Sequence, residues 1–314
     1  MTETTKVIFR DHEIRKTKKQ KKAFRAYLRT LADSYGYNTR CESVGKHAHN
    51  VVVGDPVTAK VVYTAHYDTC AFMPFPNFIT PLSIPIYLLY QLIMSIVIYI
   101  IPFIFMFVLP GRILDATDSY GLYLGCMLSG YALLILFTYL LLLGPANRHT
   151  ANDNTSGVTL LIDIMRDIPD ELKSEVAFIF FDLEELGLIG SKGYAKRHSR
   201  VRRGKLVINF DCVSDGKSIL FALRKKATVY KEKIAEAFRS NETYSVEIAS
   251  KGTFYPSDQL NFDLGVGVAA LKKTRHGLLY MNRIHTPRDT VYDEENIVFL
   301  KNGAIELTRL LSKL

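Results

Sequence analysis

The sequence predicts an α/β domain, a mostly parallel mixed sheet sandwiched by helices, interrupted by a two-helix transmembrane hairpin. Three observations lead there. Strand-like apolar runs alternate with helix-periodic segments over most of the chain, no charged residue occurs between positions 69 and 111, and a second uncharged apolar run covers 122–144.

The chain has 314 residues, 48% hydrophobic and 23% charged, enough to bury a substantial core, so what matters is where the apolar residues fall. The segments "IYLLYQLIMSIVIYIIPFIFMFVL" (86–109) and "LYLGCMLSGYALLILFTYLLLLG" (122–144) are each long enough, at about 1.5 Å per residue, to cross a hydrocarbon core roughly 30 Å thick. The alternative is a pair of buried core helices, but these keep a polar stripe toward water, and neither run displays one. Pro102 and the interspersed Gly and Ser residues are compatible with helices in lipid. The connector "PGRILDATDSYG" is expected to be no more than a turn. This gives one domain formed by residues 1–77 and 146–314, with the hairpin, 78–145, inserted in it and everything else on one side of the membrane.

That side is expected to be cytoplasmic, because no apolar segment precedes the first span. Arg148 flanks the second span there, while Arg112 shares the connector with Asp115 and Asp118. Cys41, Cys70, Cys126 and Cys212 have no metal-type spacing, and Cys126 lies within a span, so no disulfide framework is expected. The net charge of +9 has a focus at Lys16, Lys18, Lys19, Lys21, Lys22, Arg25 and Arg29. These form either the solvated face of a helix whose inner face is Phe24, Tyr27, Leu28 and Leu31, or a surface against anionic headgroups. No nucleic-acid-binding motif accompanies the run, so no nucleic-acid partner is expected.

Outside the hairpin, "NVVVGD" and "AKVVYTAH" read as adjacent strands joined by a turn at Asp55-Pro56; "EVAFIFFD", "KLVINFD" and "GVAALKK" are further strands. "SGVTLLIDIMRDI", "SKGYAKRHS", "KATVYKEKIAEAFRS" and "NIVFLKNGAIELTRLLSKL" have helical spacing. The alternation is that of a sheet with helices on both faces.

In such sheets the carboxyl ends of strands line the ligand crevice. Metal-type side chains fall at those ends: His66 and Asp68, Asp153 in "NRHTANDNTSG", Glu184 and Glu185 in "FIFFDLEELGLIGS", Asp211 in "VINFDCVSDG", and His285 in the loop "NRIHTPRDT". Imidazole plus carboxylate is the ligand set of catalytic zinc. Of two adjacent carboxylates, one can ligate while its neighbour handles the proton of a water that the metal makes acidic. Each element alone has a plain structural reading; five in this order do not.

The segments "HYD", "NDNTSG", "FFDLEELGLIGS", "NFD", "SDQLNF" and "HTPRDT" resemble the successive motifs of the zinc aminopeptidases of metallopeptidase family 28, from about residue 51 to the C-terminus apart from the hairpin. The resemblance implies a zinc aminopeptidase-like fold and two Zn2+ ions bridged by Asp153, with His66 and Asp211 completing one site and Glu185 and His285 the other. It also implies that Glu184 is the general base and that the peptide bond between Asp153 and Asn154 is cis. Asp68 is expected to orient the His66 imidazole. Tyr255 is either a donor to the oxyanion of the reaction or a packing residue, Asp258 a hydrogen-bond acceptor behind the ligands, and Gly187, Gly190 and Gly193 helix-packing residues.

The function expected is that of a membrane-anchored di-zinc metallopeptidase acting on peptides with a free N-terminus, hydrophobic or membrane-associated if the hairpin brings the site to the bilayer. Two alternatives stand beside it: a glutaminyl cyclase-like acyltransferase, which uses one zinc on the same fold, and a receptor or scaffold without activity. The complete ligand set with its base weighs against the scaffold; the absence of Trp, which cyclases place near their pocket, weighs against the cyclase.

Overall fold

The computed structural model describes residues 1–313. Nine strands form one sheet: β1 (Thr39–Val44), β2 (Ala48–Val53), β3 (Val61–His66), β4 (Val176–Phe181), β5 (Leu206–Phe210), β6 (Ser218–Leu223), β7 (Ser245–Ala249), β8 (Leu264–Lys273) and β9 (Leu279–Tyr280). Their order is β1-β2-β4-β3-β5-β8-β6-β7, with β9 on β8. The centre is parallel: β3 pairs with β4 and β5, and β5 with β8, all in parallel register. The flanks are mixed, with β1 on β2, β2 on β4 and β8 on β6 antiparallel.

Every residue of β3, β4 and β5 is buried, as required of strands covered on both faces. Alternate side chains serve two cores. Val61, Tyr63, Ala65, Phe178, Phe180, Ile208 and Phe210 face a large cluster completed by α2 (Lys18–Ser34), α6 (Gly157–Asp167) and α10 (Glu294–Ser312). Val62, Ile179, Phe181 and Val207 face a smaller one with Tyr194 and Ala195 of α7 (Ile189–Arg197) and Val201 of α8 (Ser199–Gly204). Two short helices, α1 (Glu3–Asp11) and α9 (Lys231–Ala237), complete the cover.

Three expectations are corrected. β2 and β3 are not neighbours, because β4 lies between them. Residues 54–60 pass around the start of β4, where Lys60 N donates to Glu175 O at 2.8 Å, and so leave the slot that β4 fills. The run "PGRILDATDSYG" is not a turn: the first apolar helix continues, through α3 (Ile84–Phe103), the wider turn of residues 104–108 and α4 (Leu109–Thr117), with Pro110 accommodated directly after that wider turn, as local adjustments of this kind allow in apolar helices. The reversal is confined to Asp118, at φ 49°, and Ser119, which caps α5 (Tyr120–Leu143). Third, Lys21 does not belong to a solvated face. It is buried and its Nζ donates to Asp182 Oδ1 at 2.7 Å, while Phe24 and Leu28 occupy the core as expected.

The two long apolar helices, 84–117 and 120–143, are long and apolar enough to cross a membrane. Their side chains point mostly outward; Leu88, Leu92 and Ile135 are 58%, 58% and 69% exposed. They pack on each other through Gly130, where a Cβ would stand 2.5 Å from the Met106 side chain, the close approach that small residues permit between helices in lipid. At its foot the hairpin closes on itself. Ala71 and Ala146 form an antiparallel bridge, with Phe72 N donating to Pro145 O at 2.8 Å and Asn147 N to Cys70 O at 3.2 Å.

Candidate active site

β3, β4 and β5 run parallel, so their carboxyl ends emerge side by side, and each delivers its donor within a few residues of the strand end: His66, Glu184 with Glu185, and Asp211. Asp153 comes from the segment before α6, and His285 from the loop between β9 and α10. These five predicted ligands converge. Asp153 Oδ1 lies 3.2 Å from His66 Nε2, which is 3.4 Å from Asp211 Oδ1. Asp153 Oδ2 lies 2.9 Å from His285 Nε2, which is 3.2 Å from Glu185 Oε2. One carboxylate thus turns each oxygen toward a different imidazole–carboxylate pair.

The loops that present these donors are tightly specified. Leu183, Cys212 and His285 adopt φ of 58°, 57° and 62°, a left-handed conformation uncommon for residues with side chains and concentrated at functional sites. The Asp153–Asn154 bond is cis, as the resemblance implied. Asn154 Nδ2 donates to Phe210 O at 3.0 Å, and Gly157 has no space for a side chain, since a Cβ would meet Phe210 O at 2.4 Å.

Asp68 does more than was expected of it. Its Oδ1 is 3.6 Å from His66 Nδ1, which lies nearer the Asp68 carbonyl, at 3.1 Å. The carboxylate instead accepts the backbone amides of Glu184 at 3.0 Å and Glu185 at 3.3 Å, and so clamps the loop that carries both glutamates. Tyr255 is buried, and its hydroxyl donates to Asp211 O at 2.9 Å. Asp258 is buried with neither carboxylate oxygen hydrogen-bonded, and burial, with Asp68 and Asp211 nearby, pushes its pKa up to about 7. Of the glycines after the glutamates, Gly190 and Gly193 allow close packing, against Asp182 O and Val44, whereas Gly187 makes a turn at φ 96°.

Two side chains that support the candidate site escaped sequence reasoning. Asp289 accepts the amides of Asn152 at 2.8 Å and Asp153 at 3.0 Å, fixing the segment that carries the central carboxylate. Its place four residues after His285 was the available signal. Arg15 is fully buried behind the site, with Nε on Tyr67 O at 2.5 Å, Nη1 on His12 O at 2.7 Å and both terminal nitrogens 3.2 Å from Thr155 Oγ1. It sits in a basic run, where nothing distinguishes one cation from its neighbours.

The donor set fits metal ions. Among the described residues no Lys or Arg nitrogen lies within 4.0 Å of the carboxylates of Asp153, Glu184, Glu185 or Asp211, so four acidic groups share the site with two imidazoles alone. Glu185 Oε1 is buried without a hydrogen-bond partner. His66, Asp153 and Asp211 form one group with donor atoms mutually within 4.8 Å, and Glu185 and His285, with Cys70, another. Burial, reinforced by Glu185, Asp211 and Asp258, raises the Glu184 pKa well above the usual carboxylate range even with His66 opposing it. Such charge crowding is relieved by cations, and a set of imidazole and carboxylate donors suits zinc, a borderline-soft ion.

A family model described as Peptidase family M28 matches residues 136–306. No curated protein matches the chain in sequence. Among solved structures, a Zn-dependent exopeptidase from Parabacteroides distasonis is similar at 15% identity and TM-score 0.58, over 97% of this chain and 94% of that one. The LapA aminopeptidase of Legionella pneumophila is similar at 14% identity and TM-score 0.55, over 99% and 68%. A glutaminyl cyclase from Bacteroides thetaiotaomicron, solved with N-acetylhistamine, is similar at 14% and 0.56, over 96% and 94%.

Proposed function

The chain belongs to peptidase family M28, a family of zinc-dependent peptidases, and on that premise we propose that it is a membrane-anchored di-zinc aminopeptidase that removes N-terminal residues from peptides. The observation that carries this reading is the division of Asp153, one oxygen toward His66 and Asp211 and the other toward Glu185 and His285. His66, Asp153 and Asp211 would hold one zinc, and Asp153, Glu185 and His285 the second. Zinc held there would supply Lewis acidity, to polarise the scissile carbonyl and acidify a water near neutral pH. Glu184, adjacent to the ligand Glu185, takes the proton of the attacking water and returns it to the leaving amine. Asp68 keeps Glu184 and Glu185 in register through their amides, and Tyr255 holds the end of β5 through the carbonyl of Asp211.

In this reading residues 1–77 and 146–314 are one catalytic domain, and 78–145 is an inserted membrane anchor, with the domain on the cytoplasmic side. The hairpin also bears on substrate choice. Met73 N donates to His285 O at 2.8 Å and Ile79 pairs with Met281, so the segment that leads into the hairpin is hydrogen-bonded to the loop that carries His285. A site so tied to the bilayer favours hydrophobic or membrane-associated peptides. A cyclase needs one zinc only, and the doubled donor set supports the peptidase over it. The test is zinc content of the purified protein beside hydrolysis of leucyl-arylamide and cyclisation of a glutaminyl peptide. About two zinc per chain with arylamide cleavage supports the proposal; about one zinc with cyclisation alone rejects it.

A further inference from the structure

Two cavities meet at Glu185. The first, of about 580 Å³, lies between the N-terminal segment and the foot of α5, and Lys16 and Arg148 line it together with Asp68 and Glu185. Neither cation has a carboxylate within 4.0 Å among the described residues. Arg148 makes no hydrogen bond there, and Lys16 gives Nζ only to Leu142 O at 3.3 Å. Burial lowers the Lys16 pKa, against the pull of Cys70, Glu185 and Asp68. Two cations at one cavity, neither of them paired with the carboxylates that share it, are arranged to receive an anion from a ligand.

The second cavity, of about 370 Å³, begins at Cys70, Glu185 and His285 and runs along the hairpin. Its wall includes Tyr87, Gln91, Met94 and Ile98, spaced three or four residues apart on one face of α3, and Leu141 and Leu142 of α5. From residue 87 to 98 the helix advances about 16 Å, so the channel is far longer than the side chain of any single residue. It leads from the ligand cluster into the part of the molecule whose outer surface is apolar.

We propose that this site has a second class of substrate, long-chain N-acyl amino acids, with the acyl arm in the channel beside α3 and the carboxylate on Lys16 and Arg148. The amide then lies at Glu185, where the two cavities join. This rests on the reading of the site as a zinc-dependent amide hydrolase, and goes beyond it in dispensing with a free N-terminus. Water adds to the acyl carbon, the C–N bond breaks, and the proton taken by Glu184 passes to the leaving nitrogen. The products are a fatty carboxylate and a free amino acid, with no oxidant or co-reactant required.

The experiment uses the full-length zinc-loaded protein in mixed micelles at constant surface mole fraction of substrate. N-acetyl-, N-octanoyl- and N-myristoyl-glycine are compared with N-myristoyl-glycinamide, which lacks the carboxylate, and with leucyl-arylamide. Buried methylenes should raise kcat/KM at least tenfold from acetyl to myristoyl. Loss of the charge-assisted contact should make the glycinamide about tenfold poorer. Met94→Trp, which fills the channel, should collapse the chain-length ratio, and Lys16→Gln with Arg148→Gln should collapse the carboxylate-to-amide ratio. Cleavage of leucyl-arylamide with no cleavage of N-myristoyl-glycine, or a rate independent of chain length, overturns the inference and leaves the hydrolase reading standing. Zinc-loaded protein that cleaves none of these amides overturns both.

Discussion

The carboxylate of Asp68 accepts the backbone amide of Glu184 at 3.0 Å and spans to the amide of Glu185, joining the end of β3 to the loop after β4. Asp68→Asn replaces one acceptor oxygen by an N–H donor that faces an amide. Activity should fall about 10- to 100-fold with the fold intact, the range for residues that support metal ligands. Near-wild-type kcat/KM in this variant, with unchanged circular dichroism, would remove Asp68 from the positioning machinery.

Glu184 and Glu185 are adjacent but should fail differently. Glu184→Gln is expected to lower kcat by about 10²- to 10⁴-fold with zinc retained, as for loss of a general base. Glu185→Ala should instead lower the zinc content. Equilibrium dialysis against zinc distinguishes them, and Glu184→Gln protein that retains most of its kcat refutes the assignment of the base.

Arg15 satisfies buried carbonyls from His12 and Tyr67 and bonds Thr155. Arg15→Met leaves these acceptors buried without donors, at about 1–3 kcal/mol for an orphaned group, so a total near 3 kcal/mol is expected. Thermal unfolding in detergent measures it; a midpoint shift of under a degree would contradict the account.

Acid should weaken the ion cluster between α6 and α10. Asp167 accepts from Arg166 at 2.6 Å and from Lys301 at 2.5 Å; the hydrogen bond from Arg166, against burial and with help from Lys301, holds its pKa down to about 2. The folded-state value lies below the unfolded one, so the contribution is complete above about pH 4 and disappears as pH falls toward 2. The group is partly exposed and screened, so Asp167→Asn should lower stability by about 1 kcal/mol at neutral pH. The gap between variant and wild type should close on acidification, and a gap undiminished near pH 2 would reject this origin.

Replacing residues 78–145 by a short Gly/Ser loop should give a soluble protein that keeps its metal, because Ala71 and Ala146 already bring the two ends of the hairpin together. If the hairpin presents substrate, the variant loses its preference for membrane-bound over soluble peptides. An unchanged ratio with full zinc content would make the hairpin an anchor only.

The candidate metal donors were legible because each follows a continuous apolar strand or sits in a distinctive loop motif, and parallel strands put their ends together. β6, "SILFAL", carried the same signal and went unread; β1, "TRCESV", carried none, since it is a flank strand whose burial pattern lacks an apolar run. Asp289, Arg15 and the Asp68 clamp work through backbone groups. A backbone amide has no letter in the sequence, so such partnerships appear only once the chain is folded. The order of β2, β4 and β3 was hidden for a similar reason, because β4 is supplied by residues more than a hundred positions downstream.

That intercalated order has a consequence for biosynthesis. β3 leaves the ribosome before the hairpin, whereas both of its sheet neighbours, β4 and β5, are translated after it. The middle of the sheet therefore cannot close until residues 84–143 have emerged. If the hairpin enters lipid as proposed, insertion comes first for the nascent chain and the catalytic domain assembles around a hairpin already lodged there, with β1, β2 and β3 awaiting their partners in the interval.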